Sequence, residues 1–160
     1  MERVERIRRH QLYKECMDVI DRVETDRIYC LHNLEHSLDV ARIAYILSLE
    51  QGLSLNKELI YTMALLHDLG RSVQYRTGEN HHQAGGPIAR QILMDCGYSE
   101  EETQMLVEAV IAHQAPAEDK ENPYRTVLYQ ADKLSRNCYH CQASDTCYWK
   151  DAERNHEVRY

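Results

Sequence analysis

The chain has 160 residues, 26 of them Asp or Glu and 19 Lys or Arg, a formal net charge of -7. That balance argues against a nucleic-acid polymer as the main partner, yet a small phosphorylated ligand needs only a few local cations. Apolar residues make up 43%, with no Phe and 11 Tyr, so Leu, Ile, Val, Met and Tyr must build the core. One domain over residues 1–160 is expected, with an all-α fold of about six helices, because Pro (3) and Gly (6) are scarce and apolar residues recur at helical spacing. No apolar run is long enough to cross a bilayer, and the first residues lack the apolar stretch of a signal peptide. A cytoplasmic setting follows as an expectation. It makes the six cysteines buried thiols or metal ligands rather than structural disulfides.

Val4, Ile7, Tyr13, Met17, Ile20 and Val23 mark a first amphipathic helix, which reads as scaffold. A second begins near His36, which shares a stripe with Val40, Ile43 and Leu47; Gly52 ends it. Ser54 or Asn56 can cap the third, which runs through Ile60 and Met63 to His67-Asp68, with Gly70 expected as a left-handed stop. A polar loop is expected from Arg71 to Asn80. The fourth helix opens at His81-His82 and carries Gly85-Gly86, a pair that implies close approach by another helix or a ligand. After Gly97, Ser99 and Glu102 form a capping box for the fifth, on which Leu106, Ala109, Val110 and His113 share a face; Pro116 is expected to end it. Pro123 precedes a sixth helix in which Leu128 and Asp132 share a face, and the helical pattern breaks after Arg136.

Taken alone, His67-Asp68 reads equally as a core histidine beside a capping carboxylate. Five helices, however, each carry a His or Asp on the face expected to be buried. Each would need its own partner in an apolar bundle, whereas convergence on a metal satisfies them together.

The order His36, His67-Asp68, Asp132, with the local runs Glu35-His36-Ser37, Leu66-His67-Asp68-Leu69-Gly70-Arg71 and Ala131-Asp132-Lys133, resembles the HD-domain phosphohydrolase superfamily over roughly residues 33–136. The resemblance implies a helical bundle in which His36, His67, Asp68 and Asp132 ligate a first divalent metal (Fe, Mn, Co, Ni, Mg or Zn). Where members hold a second, the matching positions are His81 and His113, with Asp68 as bridge. His81 fits better than His82 because the family's small residues follow it at the right distance. Gln114 stands where some two-metal members have another His, which leaves open whether one metal or two are bound. The implied chemistry is attack of metal-activated water on a small phosphate ester, a nucleotide among the candidates. Arg71, Lys133 and Arg136 are the candidate anion-holding cations, and Arg42 a weaker one.

A Cys-bearing segment over 137–160 follows. Cys138-x2-Cys141-x5-Cys147 has metal-ligand spacing. If His36 and Asp132 meet, then Cys30, six residues before the one, and Cys138, six residues after the other, can meet too, six helical residues being about 9 Å. Cys30 is thus the expected fourth ligand, with His140 and His32 as alternatives, for zinc or an iron–sulfur cluster. Cys16 and Cys96 read as core thiols. The competing function is a non-catalytic module that senses metal or redox state through these cysteines. Nothing in the sequence sets the oligomeric state.

Overall fold

The structure, a computed structural model, describes residues 1–114 and 122–160. Eight α-helices are present among them: α1 (Glu2–Arg9), α2 (Gln11–Val23), α3 (Leu34–Glu50), α4 (Lys57–Leu66), α5 (Arg71–Thr77), α6 (His81–Asp95), α7 (Glu100–Ala112) and α8 (Pro123–Leu134). Three single 3-10 turns follow, at Cys138–His140, Ser144–Thr146 and Asp151–Glu153. No strand occurs among the described residues.

Helix α4 is the axis of the molecule. Leu59, Ile60, Thr62, Met63, Ala64, Leu65 and Leu66 are all buried, so it is covered all round rather than along one stripe. It packs against α1, α3, α7 and α8, while α6 lies along α7, and α5 bridges α2 and α6. Asn56 caps its start by accepting from the Glu58 and Leu59 amides.

Three local expectations change. The first helix is two, broken at His10, whose extended backbone (ψ 137°) turns the chain and whose Nδ1 accepts from the Leu12 amide to start α2. The stretch after Gly70 is not all loop: α5 forms there, tied down by the Ser72 hydroxyl donating to Leu69 O at 2.7 Å and by Arg71 on Asp68. Gly70 is not a left-handed stop, for its φ is -62°. Its role is clearance: a Cβ there would lie 1.9 Å from His81 O and 2.6 Å from Gly85 N. Pro116, expected to end the fifth helix, lies outside the described residues.

Gly86 is the second close approach, since a Cβ would meet Ile111 Cδ1 at 2.7 Å. The glycine pair therefore seats α6 on α7. The Ser99–Glu102 capping box is formed, and Gly52 and Gly97 take positive φ at the ends of α3 and α6. No helix is long and apolar enough to cross a membrane among the described residues.

Candidate metal centre

The bundle places its polar ends together. Helices α3 and α6 begin at His36 and His81-His82; α4, α7 and α8 finish at His67-Asp68, His113 and Asp132. C-termini of three helices and N-termini of two thus meet at one spot, and their dipoles partly offset one another.

The donors form two groups. In the first, His36, His67 and Asp68 bring one donor atom each within 4.8 Å of one another, and Asp132 joins them. His67 Nε2 is 3.0 Å from Asp68 Oδ2; His36 Nε2 is 3.7 Å from the same oxygen and 3.5 Å from Asp132 Oδ1. In the second, His81, His82 and His113 close to within the same 4.8 Å. The His81 and His82 rings lie 3.8 Å apart by centroids and the His82 and His113 rings 4.3 Å. Asp68 faces both groups: Oδ2 is turned to His36 and His67, while Oδ1 is 3.8 Å from His81 Nε2.

Backbone carbonyls set the tautomers. His67 Nδ1 donates to Ala64 O at 2.7 Å, and His113 Nδ1 donates to Val110 O at 2.6 Å. With its proton on Nδ1, neutral His67 turns a lone pair on Nε2 towards a carboxylate oxygen. Two acceptors facing each other are stable only with a cation between them. A proton is one such cation: burial opposes charge on His67, and Asp68 and Asp132 raise its pKa against that burial. A metal ion is another. The buried nitrogens His36 Nε2, His67 Nε2, both nitrogens of His81 and His82 Nε2 have no hydrogen-bond partner among the described residues. Buried polar atoms are seldom left so, and five in one place fit a bound cation.

Charge is divided unevenly. Burial works against ionised Asp68, but His67 and Arg71 hold its carboxyl well below the usual range; His67 and Lys133 do the same for Asp132. Burial pushes His81 and His113 down to about 3, so at neutral pH both are neutral imidazoles, the form that ligates metal.

The cations lie around the carboxylates. Arg71 Nε donates to Asp68 Oδ1 at 2.7 Å, and Lys133 Nζ to Asp132 Oδ2 at 2.7 Å. Arg136 is almost fully buried, 3.9 Å from Asp132 Oδ2, with its guanidinium 3.8 Å over the Trp149 ring; its Nη1 has no partner. Arg42 is exposed, paired with Asp39, and stands apart from the site.

Two features escaped the sequence reading. His82 joins His81, because the first turn of α6 abuts the site and both of its leading residues reach it. The other is a buried link between Glu24 and His32. Glu24 accepts from the His32 amide at 2.7 Å, pairs with His32 Nδ1 at 2.5 Å and accepts from the Tyr75 hydroxyl. Burial opposes ionised Glu24, but these bonds hold it down to about 2. His32 is turned edge-on to His36, with ring centroids 5.8 Å apart, and no residue spacing announces that contact.

The HD-domain family model matches residues 33–137, which run from the Asn33 cap of α3 past Arg136 and span every donor named above. The chain belongs to the HD-domain family. Its fold class, and membership of a superfamily of metal-dependent phosphohydrolases whose domains bind divalent metals, follow from that match. An uncharacterized protein of Clostridium beijerinckii is 42% identical over 137 residues, covering 86% of this chain and 85% of that protein. Ribonuclease Y of Pelobacter propionicus is 32% identical over 127 residues, 79% of this chain, and that of Petrotoga mobilis 37% over 90 residues. The matches span only 22% and 17% of those ribonucleases. No solved structure matches the chain.

Proposed function

We propose that this protein is a metal-dependent phosphohydrolase for a small phosphate ester, nucleotides being the first class to test. The observation that carries the reading is the division of Asp68 between two donor groups whose facing nitrogens have no hydrogen-bond partner among the described residues. His36, His67, Asp68 and Asp132 would hold one divalent ion; His81 and His113, with His82 beside them and Asp68 shared, would hold another. Bound there, such ions supply an activated water and offset the charge that grows on the phosphoryl oxygens.

The protein's own groups do the rest. Ala64 O and Val110 O fix which nitrogen of His67 and His113 is free. Arg71, committed to Asp68, is a positioning residue: it keeps the shared carboxylate ionised and aimed. Lys133 does the same for Asp132 and adds positive charge at the rim. Arg136 has a buried, unpartnered Nη1, which suits it to donate to a phosphoryl oxygen. Arg136 and Lys133 also line a cavity of about 510 Å³ with Arg154, Arg159, Glu153 and Glu157.

Ribonuclease Y, by its name, brings phosphodiesters into the set of substrates to test. The net charge of -7 favours a small ester over a polymer. A second reading, a non-catalytic module responding to metal or redox state, draws support from the six free thiols, four of which share a cavity with His36. Those free thiols also support a reducing, cytoplasmic setting.

The test is metal analysis of anaerobically purified protein, then a screen of nucleotides and other phosphorylated metabolites with added Mn²⁺, Co²⁺ or Fe²⁺. Metal-dependent phosphate release is expected. Tight metal binding with no turnover on any phosphomonoester or phosphodiester would favour the sensing module instead.

A further inference from the structure

The segment after Leu134 is built differently from the rest of the chain. Its only buried apolar side chain is Ala143, and the core cluster takes nothing from it. Its turns are single 3-10 turns, held by polar contacts: Asn155 Nδ2 donates to Lys133 O (2.9 Å) and Arg136 O (2.8 Å), and Arg154 Nη1 to Ser144 O (3.1 Å). Segments with so little apolar burial usually rely on a staple such as a disulfide or a metal.

The four cysteines outside the helices supply one. Cys138, Cys141 and Cys147 sit on this segment, while Cys30 comes from the loop before α3, and all four line one cavity of about 320 Å³. Each is half-buried, and none is in a disulfide. Burial raises the Cys30 thiol pKa, Arg136 lowers it, and the charges of Cys138, Cys141 and Cys147 raise it, so the four sulfurs lie within electrostatic reach of one another. The Cys141 amide donates to Cys138 O at 3.2 Å, a tight turn that keeps this pair on neighbouring corners. The loop and the segment already touch beside the thiols: the Tyr29 hydroxyl donates to Thr146 O, and the Tyr29 and Tyr148 rings meet edge to face at 5.6 Å. Arg136 and Arg154 line the same cavity, as do Glu35 and Asp39, and the two guanidinium groups offset part of the negative charge that four thiolates leave on a divalent ion.

We propose that Cys30, Cys138, Cys141 and Cys147 form a second, thiolate-only metal centre, a zinc ion or an iron–sulfur cluster, that staples the segment after α8 to the loop before α3. Four thiolates are the ligand set both groups take, and neither needs the carboxylates of the first site. Among the described residues the three-donor groups that close within 4.8 Å are the two histidine groups, and no three of these sulfurs do; binding one metal requires the four sulfurs to close in. That movement is reported by Trp149, the single Trp of the chain, which stacks on Arg136 beside Cys147. The staple also sets the position of Arg136, and so couples the thiolate centre to the rim of the histidine site.

The experiment uses the full chain, purified anaerobically and, in parallel, reloaded with Co²⁺. The expected result is sulfur-to-cobalt charge-transfer absorption together with a change in Trp149 fluorescence. Both signals persist in Asp68→Ala, which empties the histidine site, and in Cys96→Ser, which removes a core thiol. Both vanish in Cys141→Ser and in Cys30→Ser, two variants far apart in the chain, each checked for native helix content by circular dichroism. The native metal then separates the two forms: zinc without sulfide, or iron with acid-labile sulfide. The proposal is overturned if the wild type shows no charge-transfer band, if the band survives both cysteine variants, or if mass analysis of the freshly isolated protein finds these cysteines joined in disulfides.

Discussion

The two donor groups around Asp68 are built from opposite materials. The group of His36, His67, Asp68 and Asp132 is charged: two buried carboxylates held ionised by Arg71, Lys133 and a neighbouring imidazole. The group of His81, His82 and His113 contains no carboxylate of its own, and burial keeps His81 and His113 neutral. The first group can attract a divalent ion from solution by charge. The second offers lone pairs only, and gains an anionic ligand by sharing Asp68. The expected order of filling follows: the carboxylate group first and more tightly, the imidazole group second.

Asp68→Ala is the substitution with the largest expected effect, since it removes the one residue common to both groups. Phosphate release should fall by about 100-fold or more, the scale of losing an electrostatic stabiliser of the transition state. Metal content should fall at both positions, read by elemental analysis. Retained turnover in this variant would break the account of a shared carboxylate.

Gly70→Ala tests the seam between the groups. The added methyl would sit 1.9 Å from His81 O, backbone that cannot step aside without moving α6. Thermal or urea unfolding should show a loss of about 3 kcal/mol, the upper range for overpacking. A stability equal to wild type would mean that the end of α4 and the start of α6 are not so tightly joined. His113→Ala sharpens the comparison from the other side. It should weaken the second metal by roughly 10–100-fold while leaving the first in place. Calorimetric titration of the metal-free protein resolves the two events, and an equal loss of both would erase the distinction between the groups.

The smallest expected effect concerns the flank of the charged group. Glu24 is lowered from 4.5 to about 2 by its bonds to His32 and Tyr75, against burial. Because its folded pKa lies below the unfolded value, the stabilisation is complete above about pH 4.5. It fades as pH falls towards 2, where the unfolded state holds the proton and the folded carboxyl is half protonated. Urea unfolding from pH 6 down to pH 2 should therefore show a steeper loss in wild type than in Glu24→Gln, by about 2 kcal/mol over that window. Parallel curves would remove Glu24 from the stability of the site.

What the sequence announced and what it hid divide along physical lines. His36, His67, Asp132 and His113 were legible because each shares a stripe with apolar residues, and a polar group on such a stripe must be buried. Helix α4 and the capping box at Ser99 were legible for similar local reasons. The break at His10 was not, for the apolar pattern runs on across it, and only the backbone turn and the Nδ1 cap reveal it. Helix α5 was hidden because Arg71-Ser72-Val73-Gln74-Tyr75-Arg76-Thr77 has too few apolar residues to show a period; the local bond from Arg71 to Asp68 and the tertiary bond from Tyr75 to Glu24 hold it. His82 is the poorer match to the family pattern, because the small residues Gly85-Gly86 follow His81 at the right distance. That argument fails where the first turn itself forms the wall of the site. Gly70 was read as local punctuation, yet its reason lies in α6, a contact no local pattern records.

The central claim is that the histidine nitrogens around Asp68, without a hydrogen-bond partner among the described residues, form two metal positions of unequal strength. Anomalous X-ray diffraction from crystals grown with limiting and then excess Mn²⁺ locates the ions directly. The account predicts a first peak among His36, His67, Asp68 and Asp132. With excess metal a second should appear on the His81 and His113 side of Asp68, roughly 3.5–4 Å from the first. Peaks elsewhere, or none at saturating metal with the histidine nitrogens still unpartnered, would contradict it.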